Sequence, residues 1–289
     1  MHTLKNLKPY LLLSLLQIAV ISATAQTTPQ ITPQTATRTL TADAVVVNAD
    51  FAGAMRRLIP NRERRNWTDE KLATKKFSCS TFMLYLGIRG RFDNVSHHTI
   101  YLADNYRENL KDIEERHALS DNPSFYVQNA SITDPTLAPD GQSTLYVLLP
   151  VTHESDKVDW AKETPRYRAL ALQQLEKIGI TNIEDRILTE KVMTPTGWSN
   201  EFDLYKGATF SMAHSLDQML HLRPHNRFED IGAMYLVGGG THPGSGLPVI
   251  FESARITSRL LLEDLNLDPQ WESVPTPSLS GNQWAGAAS

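Results

Sequence analysis

Met234-Tyr235-Leu236-Val237-Gly238-Gly239-Gly240-Thr241-His242-Pro243-Gly244-Ser245-Gly246-Leu247-Pro248 is the stretch on which the reading of the fold turns. A short apolar run enters a glycine turn, and an uninterrupted helical pattern then continues to about Leu265. Glycines without a Cβ let backbone approach a ligand closely, and the free N–H groups of a helix start favour an electron-rich group such as a phosphate. Pro248 suits the first helical turn, where its missing N–H costs nothing. Ser253, Ala254, Thr257 and Ser258 are small enough for the helix to lie close against a sheet.

Better-known glycine signatures fail here. Counted from Gly238, the last glycine of a G-x-G-x-x-G fingerprint would fall on Pro243. A phosphate-binding Walker loop needs Gly-Lys-Ser/Thr, and Gly244-Ser245-Gly246 has no lysine. A hydrolase elbow needs glycine two places before serine, where Pro243 stands. From the residues alone the turn is either a cofactor- or anion-approaching loop or a purely structural one.

Upstream, residues 42–50 form a β-branched run too short for a helix, with helical spacing from Phe51 to Leu58. A continuous apolar strand of this kind implies burial on both faces, as in a parallel sheet. Residues 77–88, 98–102, 124–127 and 143–151 are rich in aromatic and β-branched residues between Gly, Asn, Asp and Pro punctuation, and they predict a largely antiparallel or mixed sheet. Helices are predicted over 105–115 and 160–178, and a further strand over 187–194.

Composition excludes several classes. With 289 residues, 41% hydrophobic, and 28 Lys+Arg against 32 Asp+Glu, the chain is neither disordered nor polytopic in a membrane. A net charge of -4 gives no electrostatic case for nucleic acid as a partner. Cys79 stands alone, so no internal disulfide or cysteine-based zinc site is possible, and it reads as a core residue. His214, His221, His225 and His242 are close in sequence, but Pro224 interrupts the one i,i+4 pair, so no metal is expected. Glu201 and Asp203 fall on different helix faces and make no acid/base pair. Arg223 and Arg227 read as surface residues near Glu229 and Asp230. Residues 1–25 have the form of a secretory signal, with Lys5 and Lys8, an apolar run and Ala23-Thr24-Ala25, while 26–40 form a Thr/Gln/Pro-rich linker. Triplets at Asn66, Asn94 and Asn129 are compatible with export and decide nothing.

The stretch from Tyr235 to Pro248 closely resembles the C-terminal signature of bacterial-type phytoene desaturases, FAD-dependent enzymes of the flavin amine oxidase superfamily. Residues 42–50, 77–87, 97–102 and 207–227, the last including His214-Ser215-Leu216-Asp217-Gln218 and Arg223-Pro224-His225-Asn226-Arg227, resemble the family as well. The resemblance implies an incomplete two-domain α/β flavoprotein: the C-terminal part of a Rossmann-like FAD domain joined to a mixed-sheet substrate domain. In that scheme 41–61 and 223–266 belong to the FAD domain, 62–222 to the substrate domain, and 267–289 is a flexible tail.

By the same resemblance Gly238, Gly239, Gly240, Thr241 and His242 approach the FAD, while Leu247, Pro248 and Val249 bring a helix start beside the flavin. The implied substrate is a carotenoid polyene with no polar handle, so binding must come from apolar burial. Phe82, Leu84, Tyr126, Tyr146 and Leu148 are channel or core candidates, and no catalytic acid or base is assignable. The family opens with a strand, a G-x-G-x-x-G turn and a helix, and here a signal-like segment and linker precede residue 42 instead. The expectation is therefore that a separate chain carries the nucleotide-binding half. The family also implies a cytoplasmic protein peripheral at a membrane surface, against which the signal-like start suggests export. Related carotenoid isomerases, ketolases and oxygenases share the scaffold, and a non-catalytic remnant or exported apolar-lipid binder is the remaining alternative.

Overall fold

The computed structural model describes residues 41–268 and a two-residue strand, β1 (Ile18–Ala19). Apart from β1, the signal-like segment and the linker lie outside the described residues, as does the tail beyond 268. The main elements follow in the order β2 (Val45–Val47), α1 (Phe51–Leu58), α2 (Asp69–Thr74), β3 (Ser80–Arg89), β4 (His98–Tyr101), α3 (Tyr106–Lys111), β5 (Phe125–Gln128) and β6 (Gln142–Val151). They continue with α4 (Trp160–Leu175), β7 (Ile187–Met193), α5 (Pro195–Phe202), β8 (Met234–Leu236) and α6 (Leu247–Asp264).

Two sheets result. β4, β5, β6, β3 and β7 lie side by side in that order and pair antiparallel throughout. β2 and β8 pair parallel, Val45 opposite Met234 and Val47 opposite Leu236, and β1 adds antiparallel to β2. The fold is thus mixed α/β with parallel and antiparallel sheets, as the sequence reading required.

The antiparallel sheet separates its two faces by strict alternation along β6, whose odd-numbered residues are buried and even-numbered ones half-buried. Its core face packs on α4: Phe82 stacks 5.8 Å from Trp160 and meets Tyr167 edge-on at 5.2 Å. Phe82, Leu84, Leu145, Val147, Leu172 and Leu175 form this core, so Phe82 and Leu84 are core residues. Such fully removed side chains contribute about 1.5–3 kcal/mol each. Tyr126, Tyr146 and Leu148 lie on the opposite face and stay partly exposed.

The parallel pair is covered on both faces. α1 packs on one through Phe51 and Met55 against Val47, Met234 and Leu236, and α6 packs on the other through Leu261 against Ala44 and Tyr235. Ser253 and Thr257 are buried there as their small size predicts, whereas Ser258 faces solvent. Asn129, one of the glycosylation-type triplets, is buried and bonds the carbonyls of Phe92 and Val95. No helix among the described residues is long and apolar enough to cross a membrane.

Candidate functional site

The glycine loop begins where β8 ends, and it is shaped from beneath by residues far from it in sequence. Gly238 adopts φ +109 and donates its N–H to Ser253 Oγ (3.2 Å) on α6. Gly240 presses on the start of α1, where an added Cβ would lie 2.8 Å from Phe51 Cβ and 3.1 Å from its nitrogen. The loop therefore crosses the C-terminal ends of both parallel strands. Asp50 caps α1 by accepting the N–H groups of Gly53 (2.9 Å) and Tyr205 (3.2 Å), and burial raises its pKa against those bonds.

Arg223 is the anchor of the loop, and here the structure corrects the surface reading. Its side chain is 1% exposed and its guanidinium donates to the carbonyls of Gly239 (2.9 Å), Met212 (3.3 Å) and Thr241 (3.4 Å). No carboxylate pairs with it among the described residues. Burial lowers its pKa. Turning the loop's carbonyls inward onto this cation leaves the N–H groups of Gly239 and Gly240 without partners among the described residues. Arg227, by contrast, pairs with Asp264 (2.8 Å) near the C-terminal end of α6.

Two further polar residues hold the second half of the loop. His214 Nε2 accepts the Ser245 N–H (3.0 Å), which requires the neutral ring with its proton on Nδ1; burial, then the Arg223 charge, lower its pKa. Asn226, 3% exposed, donates to the His242 carbonyl (3.0 Å), Ser253 Oγ (3.1 Å) and Thr257 Oγ1 (3.0 Å), tying loop to helix. The His242–Pro243 peptide is cis.

The sequence-predicted residues fall into distinct roles. Thr241 is buried with its hydroxyl on the Pro224 carbonyl (2.6 Å), and His242 Nδ1 lies 3.2 Å from the Leu220 carbonyl, so both shape the loop. Gly239 and Gly240 present N–H groups, while Leu247, Pro248 and Val249 form the first turn of α6 with its unpaired donors. Leu247 and Phe251, both 68% exposed, stand one turn apart and give that helix start an apolar face. Free N–H donors, a buried cation beneath them and an adjoining apolar ledge fit a ligand with an anionic part and a flat apolar part, and thus fit a flavin nucleotide. Sequence reasoning missed Arg223, His214 and Asn226 as site residues. All three lie in the segments whose resemblance was noted, which was the one available signal.

The open face of the antiparallel sheet carries the second feature. Across its five strands the register aligns Ile100, Tyr126, Leu148, Met83 and Met193 in a single row, with no charged member. At about 4.8 Å per strand the row spans about 19 Å. Ile100 at one end is 70% exposed, whereas Met83 and Met193 at the other are buried, with Gly197 of α5 packed against Met193. Beside it run Tyr146 and Tyr85, edge-on at 5.3 Å, with burial raising the pKa of both phenols.

No family model matches the chain. Curated relatives do: a 4,4'-diapophytoene desaturase (4,4'-diapolycopene-forming) of Methylomonas sp is 48% identical over 223 residues, covering 77% of this chain and 43% of the relative. An all-trans-zeta-carotene desaturase of Myxococcus xanthus is 43% identical over 241 residues, covering 82% and 46%. A lycopene-forming phytoene desaturase of Pseudescherichia vulneris is 37% identical, covering 79% and 46%. Among solved structures, an oxidoreductase from Methanosarcina mazei aligns with a TM-score of 0.48 at 15% identity, over 77% of this chain and 44% of that one. The chain spans a little under half the length of the curated relatives it matches. Over some four-fifths of its own length, the chain is a homologue of the bacterial-type carotenoid desaturases, a family of oxidoreductases.

Proposed function

We propose that this chain supplies the polyene-binding layer and the flavin-side glycine loop of an FAD-dependent carotenoid desaturase. The observation that carries the reading is the uncharged row Ile100, Tyr126, Leu148, Met83 and Met193, closed at one end by α5. A hydrocarbon offers no hydrogen-bonding group, so its recognition rests on burial of apolar area, about 25 cal/mol per Å². An extended polyene lying across the strands would bury its length on that row; in the adjoining row the phenols of Tyr85 and Tyr146 are neutral, and Lys191 at its β7 end is paired with Glu201.

In this reading residues 62–222 make most of the substrate domain, while 41–61 and 223–266 belong to the FAD domain. The N–H groups of Gly239 and Gly240 and the start of α6 at Leu247–Val249 would hold the cofactor, with Gly238, Thr241 and His242 setting the loop's shape. Bound FAD would supply the hydride acceptor. Arg223 would keep a positive charge under the loop, and α6 would direct its N-terminal dipole to the same place. The nucleotide-binding half that completes the site is supplied by further polypeptide. The complex works at the cytoplasmic surface of the membrane that dissolves its substrate.

The test is binding of lycopene to the purified chain, read by quenching of tryptophan emission, because Trp198 at the α5 end bonds the Thr81 carbonyl beside the row. Saturable quenching that Leu148→Asp abolishes and Tyr146→Phe leaves intact supports the reading. Absence of saturable binding, or equal binding by Leu148→Asp, refutes it.

A further inference from the structure

The uncharged row changes character along its length. Ile100 is 70% exposed, Tyr126 and Leu148 are half-buried, and Met83 and Met193 are only 1% and 3% exposed. Strand order sets the first three on β4, β5 and β6 and the last two on β3 and β7, so burial deepens strand by strand in steps of about 4.8 Å. What closes the far end is α5, which follows Met193 after one residue and reaches over the start of β3. From Ile100 to Leu148 the row runs about 10 Å, and then it ends blind at two thioethers.

α5 is held along its length. Thr194 caps it by accepting the Gly197 N–H on Oγ1 (3.1 Å), and Gly207 crosses its start so closely that a Cβ there would collide with the Pro195 carbonyl. Trp198 Nε1 donates to the Thr81 carbonyl (2.9 Å) on β3, and Glu201 pairs with Lys191 (2.9 Å) on β7. A helix fixed at both ends and in the middle is a wall. Against that wall, an added Cβ at Gly197 would lie 2.5 Å from Met193 Sδ, so the thioether occupies the space that the glycine leaves. Methionine is unbranched and flexible, so it fills an irregular end closely and takes part in no hydrogen bond that its truncation would break.

We infer that Met83 and Met193 are specificity-determining residues that stop the end of an apolar chain lying on the row, with Gly197 making room for Met193. The inference rests on the proposed function and adds the specificity of its site. A hydrocarbon gives a site nothing by which to register its position, because each methylene attracts its surroundings about as strongly as the next. Only a steric end selects one pair of carbons over its neighbours. The depth of the stop therefore decides which bonds of a long polyene are presented for reaction, and a change in that depth presents different ones. The stop is formed by β3, β7 and α5 alone.

The experiment measures binding of straight-chain fatty acids of graded length to the full chain by calorimetry, below their micelle concentrations. The carboxylate keeps each head in water at the Ile100 end, so the tail points toward the stop. Affinity is expected to rise about fourfold with each added methylene and to level off once the tail meets the stop. In Met83→Ala and Met193→Ala the plateau begins at chains longer by about two or three methylenes, whereas Tyr146→Phe in the adjoining row leaves it in place. An acid of plateau length carrying a diazirine on its last carbon should crosslink at Met83, Met193 or Gly197 of the parent protein. That measurement needs no variant and stands if the alanine variants fail to fold. Binding without a plateau, a plateau unmoved in both alanine variants, or crosslinks away from these three residues would each overturn the inference while leaving the row as an apolar-chain site. Absence of saturable binding by every acid overturns it too, and the lycopene titration reads the proposed function separately.

Discussion

Replacing Arg223 by methionine and by lysine tests the glycine loop's foundation. The guanidinium makes one short bond, to Gly239, and two long ones, to Met212 and Thr241. A hydrogen bond from a charged donor is worth about 1.5–3 kcal/mol, and each carbonyl left without a donor costs about 1–3 kcal/mol. Against this, methionine removes a buried cation that no carboxylate balances among the described residues, which returns part of the loss. With the two long bonds counted at less than half strength, the net loss for Arg223→Met is about 3 kcal/mol. At about 2–4 °C per kcal/mol for a chain of this size, the melting temperature falls by about 6–12 °C. Lysine keeps the charge but lacks the planar fork that reaches three carbonyls, so Arg223→Lys should be no more stable than Arg223→Met. Urea unfolding of the three proteins measures the order. Arg223→Lys within about 1 kcal/mol of the parent would refute the argument, since a point charge would then suffice.

Two more perturbations probe the same loop. His214 is neutral while it accepts the Ser245 N–H, and its depressed pKa means that its contribution is fully present above the ordinary value of 6.5 and is lost as pH falls from there through the lowered one. Exchange protection of the Ser245 amide should hold above pH 6.5 and drop as the pH is lowered from there through the depressed pKa, and unchanged protection across an acid titration would contradict the assigned tautomer. Gly240→Ala places a methyl 2.8 Å from Phe51 Cβ and should cost about 1–3 kcal/mol, while Gly232→Ala, which meets nothing within 4 Å, should be neutral or slightly stabilising in the same unfolding assay.

What the sequence made legible was local in origin. The apolar run into Gly238, Pro248 at the helix start and small residues at 253 and 257 each act through neighbours a few positions away, and β8, the loop and α6 lie where they predict. The run of aromatic and β-branched residues over 143–151 likewise yields β6. Arg223 was misread because Arg223-Pro224-His225-Asn226-Arg227 looks solvated by composition, and its burial depends on carbonyls of Met212, Gly239 and Thr241 that other segments bring. Phe82, Leu84, Tyr126, Tyr146 and Leu148 could be read only as channel or core candidates together for a related reason: which face each occupies depends on strand register and on where α4 packs. α5 was missed because Pro195 and Gly197 lower its helical signal, although Thr194 caps it by accepting the Gly197 N–H (3.1 Å).

Val45 and Met234 are partners across the parallel pair, and nearly the whole described chain runs between them. Closing so long a span costs entropy that local turns do not, though each doubling of length adds only about 0.6 kcal/mol. The antiparallel sheet closes its β3–β6 and β5–β6 pairings within much shorter spans, so contact order predicts that it folds first and draws the two ends together. The glycine loop is then among the last parts of the molecule to take shape, so a ligand captured there reports that everything between the two strands has already folded.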